Sequence, residues 1–416
     1  MQHAIADIEP RRLQGLSQQA DEAGSEHQRG RLRDFATRVD AVVKAATAWA
    51  DVVDRDARFP AEAFAVIRAE RLLGIMLPQE LGGEDASVST IVDICYRLGQ
   101  ACASTAMIYA MHQSCVACVL RHGRGNAWQE ALLRRLASEQ LLLASSTTEG
   151  QAGGNVRSSA APVEPTLSGI RLDRAASVVS YGAQADVIVT TARRNAASAP
   201  SDQVLVAFLK ADCALEPTSG WDALGMRGTC SSGFNLKATG CAEQVLPEPY
   251  DRIHPLSMVP VSHLAWSGTW AGIAAGAVER ARAFVRRAAR QNNGTLPPGA
   301  AHFTKATASL QTLRSLIATS ARAYEQNADD ARVLTSIDFQ TAMNLTKVQA
   351  SELAVAIVLE AARACGLAGY RNDSEFSIGR HLRDVLSSPI MISNDRILAN
   401  LAMTSLLSTA PVAVCD

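Results

Sequence analysis

The sequence predicts an α+β protein in three parts: a helical N-terminal domain over residues 31–143, a middle β-barrel or sandwich-like domain over 144–250, and a C-terminal four-helix-bundle domain over 251–416. Three observations carry this. A chain of 416 residues exceeds one ordinary core, since domains run to roughly 100–200 residues. The hydrophobic period also changes twice, from helical spacing to short β-branched runs near Leu141 and back to helical spacing beyond Leu256. Finally, hydrophobic content is 48% against 19% charged residues, yet no stretch reaches the ~20 uninterrupted apolar residues of a membrane helix. The surplus therefore belongs in buried helices or subunit interfaces.

Residues 1–30 are polar and broken by Gly24, Ser25 and Gly30, which reads as a mobile arm. From Arg31 to Leu73 the spacing of Phe35, Val39, Val42, Val43 and Ala46, with Pro60 placed to open a second helix, predicts two helices. Pro78, Gly82 and Gly83 form a hinge. A third helix with Ile91, Ile94, Cys95 and Leu98 on one face, and a fourth from about Thr105 to His122, complete the first domain. Strands are predicted at Ser177–Val179, Val187–Thr191, Val204–Leu209 and Gly233–Leu236, with turns at Gly153-Gly154-Asn155, Gly182 and Gly220 and a loop at Asn195–Ser201. Long helices follow over Trp266–Arg290, His302–Asp330 and Asp338–Cys365, and a last one over Arg396 to about Leu407.

Formal net charge is −1 with no long run of one sign, so the chain lacks the basic footprint that nucleic-acid binding requires. Nine cysteines are scattered, with Cys115 and Cys118 the one close pair. Their i,i+3 spacing without a second ligand pair reads as core rather than metal site. Reduced thiols and the lack of a secretory h-region predict a cytoplasmic protein without membrane segments.

Several motifs occur in one order: Leu77–Gly83; Ser145-Ser146-Thr147-Thr148-Glu149-Gly150-Gln151-Ala152-Gly153-Gly154-Asn155; Ser177-Val178-Val179-Ser180 with Ala185-Asp186; Leu224-Gly225-Met226-Arg227-Gly228-Thr229; Cys365-Gly366-Leu367-Ala368-Gly369-Tyr370; and Arg383-Asp384 with the loop to Arg396. Together they resemble the acyl-CoA dehydrogenase superfamily, and the resemblance covers nearly the whole chain after Arg31. It implies an acyl-CoA dehydrogenase-like fold, FAD as cofactor, and a homotetramer or homodimer. By the same resemblance Thr147, Thr148, Val178, Ser180 and Asn394 bind the flavin, and Gly366 and Gly369 face a neighbouring subunit's FAD through closely approaching amides. Leu224–Thr229 would be a strand. Gly154, Trp270 and Ile392 would border the substrate, although Gly150, Gly154 and Asn155 depart from the family's Pro, Ser and Asp.

Dehydrogenation of an acyl thioester needs a carboxylate to remove the α-proton while the β-hydrogen leaves as hydride. Here Ile392 occupies the place of the usual glutamate, Thr269 occupies the alternative base position, and Asp395 is the nearest carboxylate in the loop. Asp395 is a candidate base; it is also placed to N-cap the last helix. The turn Gln291–Pro298 lacks the Arg and Phe-Gly that reach FAD across the family's interface. His112 reads as a satisfied core histidine, and Trp266 and Trp270 as packing. Three functions fit: an oxidoreductase acting on CH–CH bonds of an acyl-CoA or acyl-carrier-protein thioester with a displaced base; a flavin monooxygenase, which needs no such base; or a catalytically silent thioester-binding member. Electron-transfer flavoprotein, oxygen or a flavin reductase would be the redox partner.

Overall fold

The computed structural model describes residues 35–149 and 156–406. The N-terminal arm and the turn containing Gly154 lie outside the described residues. Helix α1 runs through residues 35–55, followed by α2 (Ala61–Ala69), α3 (Val88–Ala101), α4 (Ala103–His122) and α5 (Ala127–Glu139). Ser87 starts α3 by accepting the Thr90 amide at 3.2 Å, the usual hydroxyl N-cap. The helix α5 goes beyond the four expected. Its start is fixed by Asn126, whose Oδ1 accepts the amides of Trp128 and Gln129, and its apolar face is the narrow set Leu132, Leu133, Leu136 and Ala137. By length and composition α4 could cross a bilayer, but it is a buried core helix here.

Among the described residues eight strands form two four-stranded sheets. They are β1 (Leu143–Ser146), β2 (Glu164–Thr166), β3 (Gly169–Val179), β4 (Val187–Arg193), β5 (Gln203–Leu209), β6 (Cys213–Ser219), β7 (Ser232–Gly240) and β8 (Val245–Pro249). One sheet has the order β1-β4-β5-β8 and the other β2-β3-β7-β6, and neither closes into a barrel. Of these strand pairs only β1 with β4 is parallel, with Leu143 opposite Val187. Strands β4 and β5 are buried on both faces, which made them legible as continuous apolar runs. Strands β1, β2, β6 and β8 went unpredicted, being short or, like the mostly exposed β6, rich in polar residues and proline. Leu224–Thr229 is not a strand: Arg227–Thr229 is a 3-10 turn between Met226 and Cys230, both left-handed.

The chain then returns to helix: α6 (Tyr250–Ile253), a π-turn (His254–Met258), α7 (Val259–Gln291), α8 (Ala300–Gln326), α9 (Ala331–Thr335), α10 (Ile337–Cys365), α11 (Leu367–Tyr370), α12 (Gly379–Val385) and α13 (Asn394–Ser405). The axis of the molecule is α7, which packs against α3 on one side and α10 on the other. Its small residues permit this. A Cβ at Gly272 would sit 2.3 Å from the Tyr96 carbonyl of α3, so the two backbones touch only because no side chain intervenes. One continuous apolar core runs from α1 through the sheets to α12.

Candidate functional site

A cavity of about 980 Å³ lies where the sheets, α4, α7, α10 and the segment between α12 and α13 meet. Its sheet-side wall carries Thr147, Thr148, Val178 and Ser180. Glu149 holds the end of that loop. Buried itself, it pairs with buried Arg174 at 3.1 Å and accepts the Ala160 amide at 2.6 Å. Ser180 belongs to a chain of hydroxyls: its Oγ lies 2.8 Å from Ser231 Oγ, which lies 2.7 Å from Thr229 Oγ1, which donates to the Met226 carbonyl at 2.8 Å. Beside these polar groups Val178, Leu224 and Ile390 are apolar yet exposed, 43%, 64% and 76%, and all three line the cavity. Apolar faces next to a hydroxyl edge fit a flat aromatic ring system with polar margins, the chemistry of an isoalloxazine.

The Leu224–Thr229 turn is clamped to α12. Asp384 Oδ1 accepts the Met226 amide at 2.7 Å, and Arg383 pairs with Asp54 of α1 at 2.9 Å while donating to the Leu224 carbonyl at 3.1 Å. Burial pushes the Asp384 carboxyl up to about 6, with the Met226 N–H opposing the rise. At Gly225 a Cβ would fall 2.1 Å from the Arg383 carbonyl, so only glycine lets the turn seat against α12.

A buried cation that no sequence motif marks anchors the loop after α12. Lys347 of α10 donates to the Ser388 carbonyl (3.2 Å), the Ile392 carbonyl (3.3 Å) and Asn394 Oδ1 (2.7 Å). It also stands 5.5 Å from the centre of the Trp270 ring. Desolvation lowers its ammonium to about 8, with Glu352 opposing. Ile392, which lines the cavity, has φ of 47°, a costly conformation for a β-branched residue that the surrounding anchors hold in place.

Carboxylates are scarce at the cavity, while Arg157, Arg383 and Arg396 are among its lining residues. Among the described residues the one carboxylate lining the cavity is Asp251, which is exposed. Two histidines line it as well. Burial lowers His254 to about 4, and burial with the nearby Lys347 charge lowers His263 to about 3. Both are neutral near pH 7.

Of the residues named from the sequence, Thr147, Thr148, Val178, Ser180 and Ile392 come together at the cavity. Gly154 lies outside the described residues. Asn394 does not line the cavity: its amide is spent on Lys347, Ser351 (2.9 Å) and Glu352 (3.4 Å), so it anchors the loop. Trp270 is fully buried under Lys347 rather than at the cavity surface. Gly366 and Gly369 are also off the cavity. Their amides donate to the Ala362 and Gly366 carbonyls, both at 3.0 Å, and Gly366 ends α10. Asp395 is exposed on the first turn of α13 and does not line the cavity; the helix is capped by Ser393, which accepts the Arg396 amide at 3.4 Å. His112 is a satisfied core residue, with Nε2 2.9 Å from the Leu73 carbonyl and Nδ1 accepting the Leu143 amide at 3.0 Å. Trp266, expected as packing, lines the cavity. Single histidines, a tryptophan and a lysine on long helices carry no motif, so only a three-dimensional view finds them.

A helical region, two open sheets and a helical bundle around one interdomain cavity define an acyl-CoA dehydrogenase-like architecture. The N-terminal domain of acyl-CoA dehydrogenases matches residues 25–140 and their C-terminal domain matches residues 258–407. The chain belongs to this superfamily. It is 25% identical over 356 residues to the amino sugar nitrososynthase DnmZ of Streptomyces peucetius, covering 81% of this chain and 84% of that protein. It is 24% identical to cyclohex-1-ene-1-carbonyl-CoA dehydrogenase of Geobacter metallireducens, covering 83% and 89%. Among solved structures, FMN-bound TdsC, a dibenzothiophene monooxygenase from Paenibacillus sp. A11-2, superposes with a TM-score of 0.76 at 20% identity over 90% of this chain and 98% of that one.

Proposed function

We propose that the chain is a flavin-dependent monooxygenase acting on a largely apolar substrate. One observation carries this reading: among the described residues no carboxylate but exposed Asp251 lines the cavity, and Ile392 stands where an α-proton base was expected. Proton abstraction from a thioester requires a base within hydrogen-bond reach of the α-carbon, whereas oxygen insertion does not. The similar nitrososynthase and the similar cyclohex-1-ene-1-carbonyl-CoA dehydrogenase stand on opposite sides of this choice, so it is the cavity lining that supports the monooxygenase branch.

Reduced flavin, delivered by a separate NAD(P)H-dependent reductase, would give two electrons to dioxygen, so that one oxygen atom enters the substrate and the other leaves as water. The Thr147, Thr148 and Ser180 hydroxyls, which line the cavity, would hydrogen-bond the polar edge of the ring, and Val178 would support its face. The apolar loop Leu386–Ile392, held by Lys347, keeps water out. FAD is the flavin that the resemblance implies, and chromatography of the flavin released on denaturation distinguishes it from FMN. Exposed Leu367, Tyr370 and Met403 on α11 and α13 offer a surface for a homodimer or homotetramer.

The test is a flavin spectrum followed by two reactions. We expect a yellow protein that an acyl-CoA panel does not bleach anaerobically, and that incorporates label from 18O2 into substrate when reductase and NADH are added. Anaerobic bleaching by an acyl-CoA, or a protein that takes up no flavin, would falsify the proposal.

A further inference from the structure

Five of the nine methionines, Met107, Met111, Met226, Met258 and Met391, line the cavity, although its lining takes only about a tenth of the chain. An even spread would put one there. Three of the five keep accessible surface, and they come from three separate elements. In α4 every residue from Ala103 to Val119 is buried except Met111, so the surface Met111 keeps opens onto the cavity it lines. In the π-turn His254, Pro255 and Met258 are the residues that are not buried, and all three line the cavity. Ser262, in the same lining, donates to Met258 Sδ at 3.7 Å, which places that sulfur at the wall. Met391 is half-buried on the loop that Lys347 holds. Among the described residues the one thiol in the lining is Cys115, and burial pushes it up to about 12. The thiolate is the reactive form of cysteine, so Cys115 is quiet, whereas a thioether is oxidised without losing a proton.

We propose that Met111, Met258 and Met391 are oxidation sites that trap peroxide made inside the cavity. The source rests on the monooxygenase reading above: dioxygen that takes two electrons and two protons from reduced flavin with no substrate bound ends as hydrogen peroxide. At a thioether the O–O bond of the peroxide breaks, one oxygen bonds to sulfur, and the other leaves as water with both protons. The sulfur is oxidised by two electrons and the peroxide is reduced by two. The product is methionine sulfoxide, which methionine sulfoxide reductases return to the thioether. The trap thereby shields Trp266 in the same lining with side chains whose oxidation is reversible.

The test supplies the full chain, loaded with flavin, with reductase, NADH and 18O2 but no substrate. Catalase removes peroxide that escapes to bulk solution, and peptide mass analysis locates each 18O-labelled sulfoxide. Met111, Met258 and Met391 should be labelled at least about tenfold faster than Met76 and Met403, because oxidant released beside a group acts at an effective concentration that bulk solution does not reach. Met76 is half-buried as they are and Met403 is 72% exposed, and neither lines the cavity. Position, not exposure, therefore separates the two groups. Replacing all three by leucine, a volume-conserving change that cores tolerate, should raise the labelling of Trp266 severalfold. Oxygen consumption with the three unlabelled, or labelled no faster than Met76, overturns the inference and leaves the monooxygenase reading standing. That comparison needs no variant to fold. A triple variant that turns over with no rise in Trp266 labelling overturns the shielding as well. No oxygen consumption with reduced flavin sinks the monooxygenase reading and the trap with it.

Discussion

At the scale of single residues, what the cavity excludes matters as much as what it holds. Asp395 is the carboxylate nearest to the expected base position in sequence, yet it is exposed and stands outside the lining. Asp395→Asn should therefore leave turnover within about twofold of wild type, as for surface substitutions away from special features. A loss of tenfold or more in steady-state rate would return Asp395 to the chemistry. Thr148, Val178 and Ser180, named from motifs that occur in a fixed order, all lie at the cavity. Asn394, named in the same way, has a structural task instead. Asn394 looked like a cofactor ligand because its loop resembles a flavin-facing one, but a lysine 47 positions earlier in the chain uses up its carbonyl. Such a pairing leaves no trace in local spacing.

At the scale of elements, the segment between α12 and α13 is held in place from α10. Lys347 reaches from α10 into three acceptors on that loop, and the strained Ile392 sits between two of them. Replacing the lysine by methionine has two opposed effects. It removes the cost of burying an ammonium, which can be neutral or stabilising for the whole fold, and it orphans the acceptors, at about 1–3 kcal/mol for a buried group. The global melting temperature of Lys347→Met should thus change little while the loop loosens. Hydrogen exchange at Met391 and Asn394, whose amides bond Ser387 and Pro389 within the loop, should accelerate about tenfold, equivalent to ~1.4 kcal/mol of lost local stability. Unchanged exchange at those amides would show that the loop does not depend on Lys347. Elements were legible in the sequence in proportion to how far one period governs them. The long helices and the doubly buried β4 and β5 were found, whereas four-residue β1 and exposed β6 owe their pairing to neighbours rather than to their own composition.

At the scale of the whole molecule, stability depends on histidines folded in their neutral form. His112 ties α4 to the Leu73 and Leu143 backbones, His263 faces the cavity, and His381 of α12 is buried against the Gly276 turn of α7. Burial lowers His112 to about 4 and His263 to about 3, and lowers His381 as well. In the unfolded chain each takes up a proton near pH 6.5. Between that pH and about 4 the unfolded state therefore binds more protons than the folded state, and folding stability falls as pH falls. Asp384 acts in the other direction. Its folded pKa of about 6 lies above its ordinary 3.8, so its contribution is present at low pH and is lost as pH rises through that window. With His254 also lowered to about 4 and His122 lowered too, five histidines against Asp384 leave a net loss on acidification. A tenfold change in a group's proton affinity between the two states is worth about 1.4 kcal/mol, so the sum reaches several kcal/mol, a large share of the 5–15 kcal/mol by which domains are usually stable, at roughly that order. Urea unfolding at a series of pH values should show the midpoint falling steadily from about pH 6.5 to about pH 4.5. Replacing His112 by Gln, which can serve the same two backbone groups without titrating, should flatten that slope by about one proton even where it costs absolute stability. A midpoint that stays level or rises on acidification would mean that these histidines are charged in the fold.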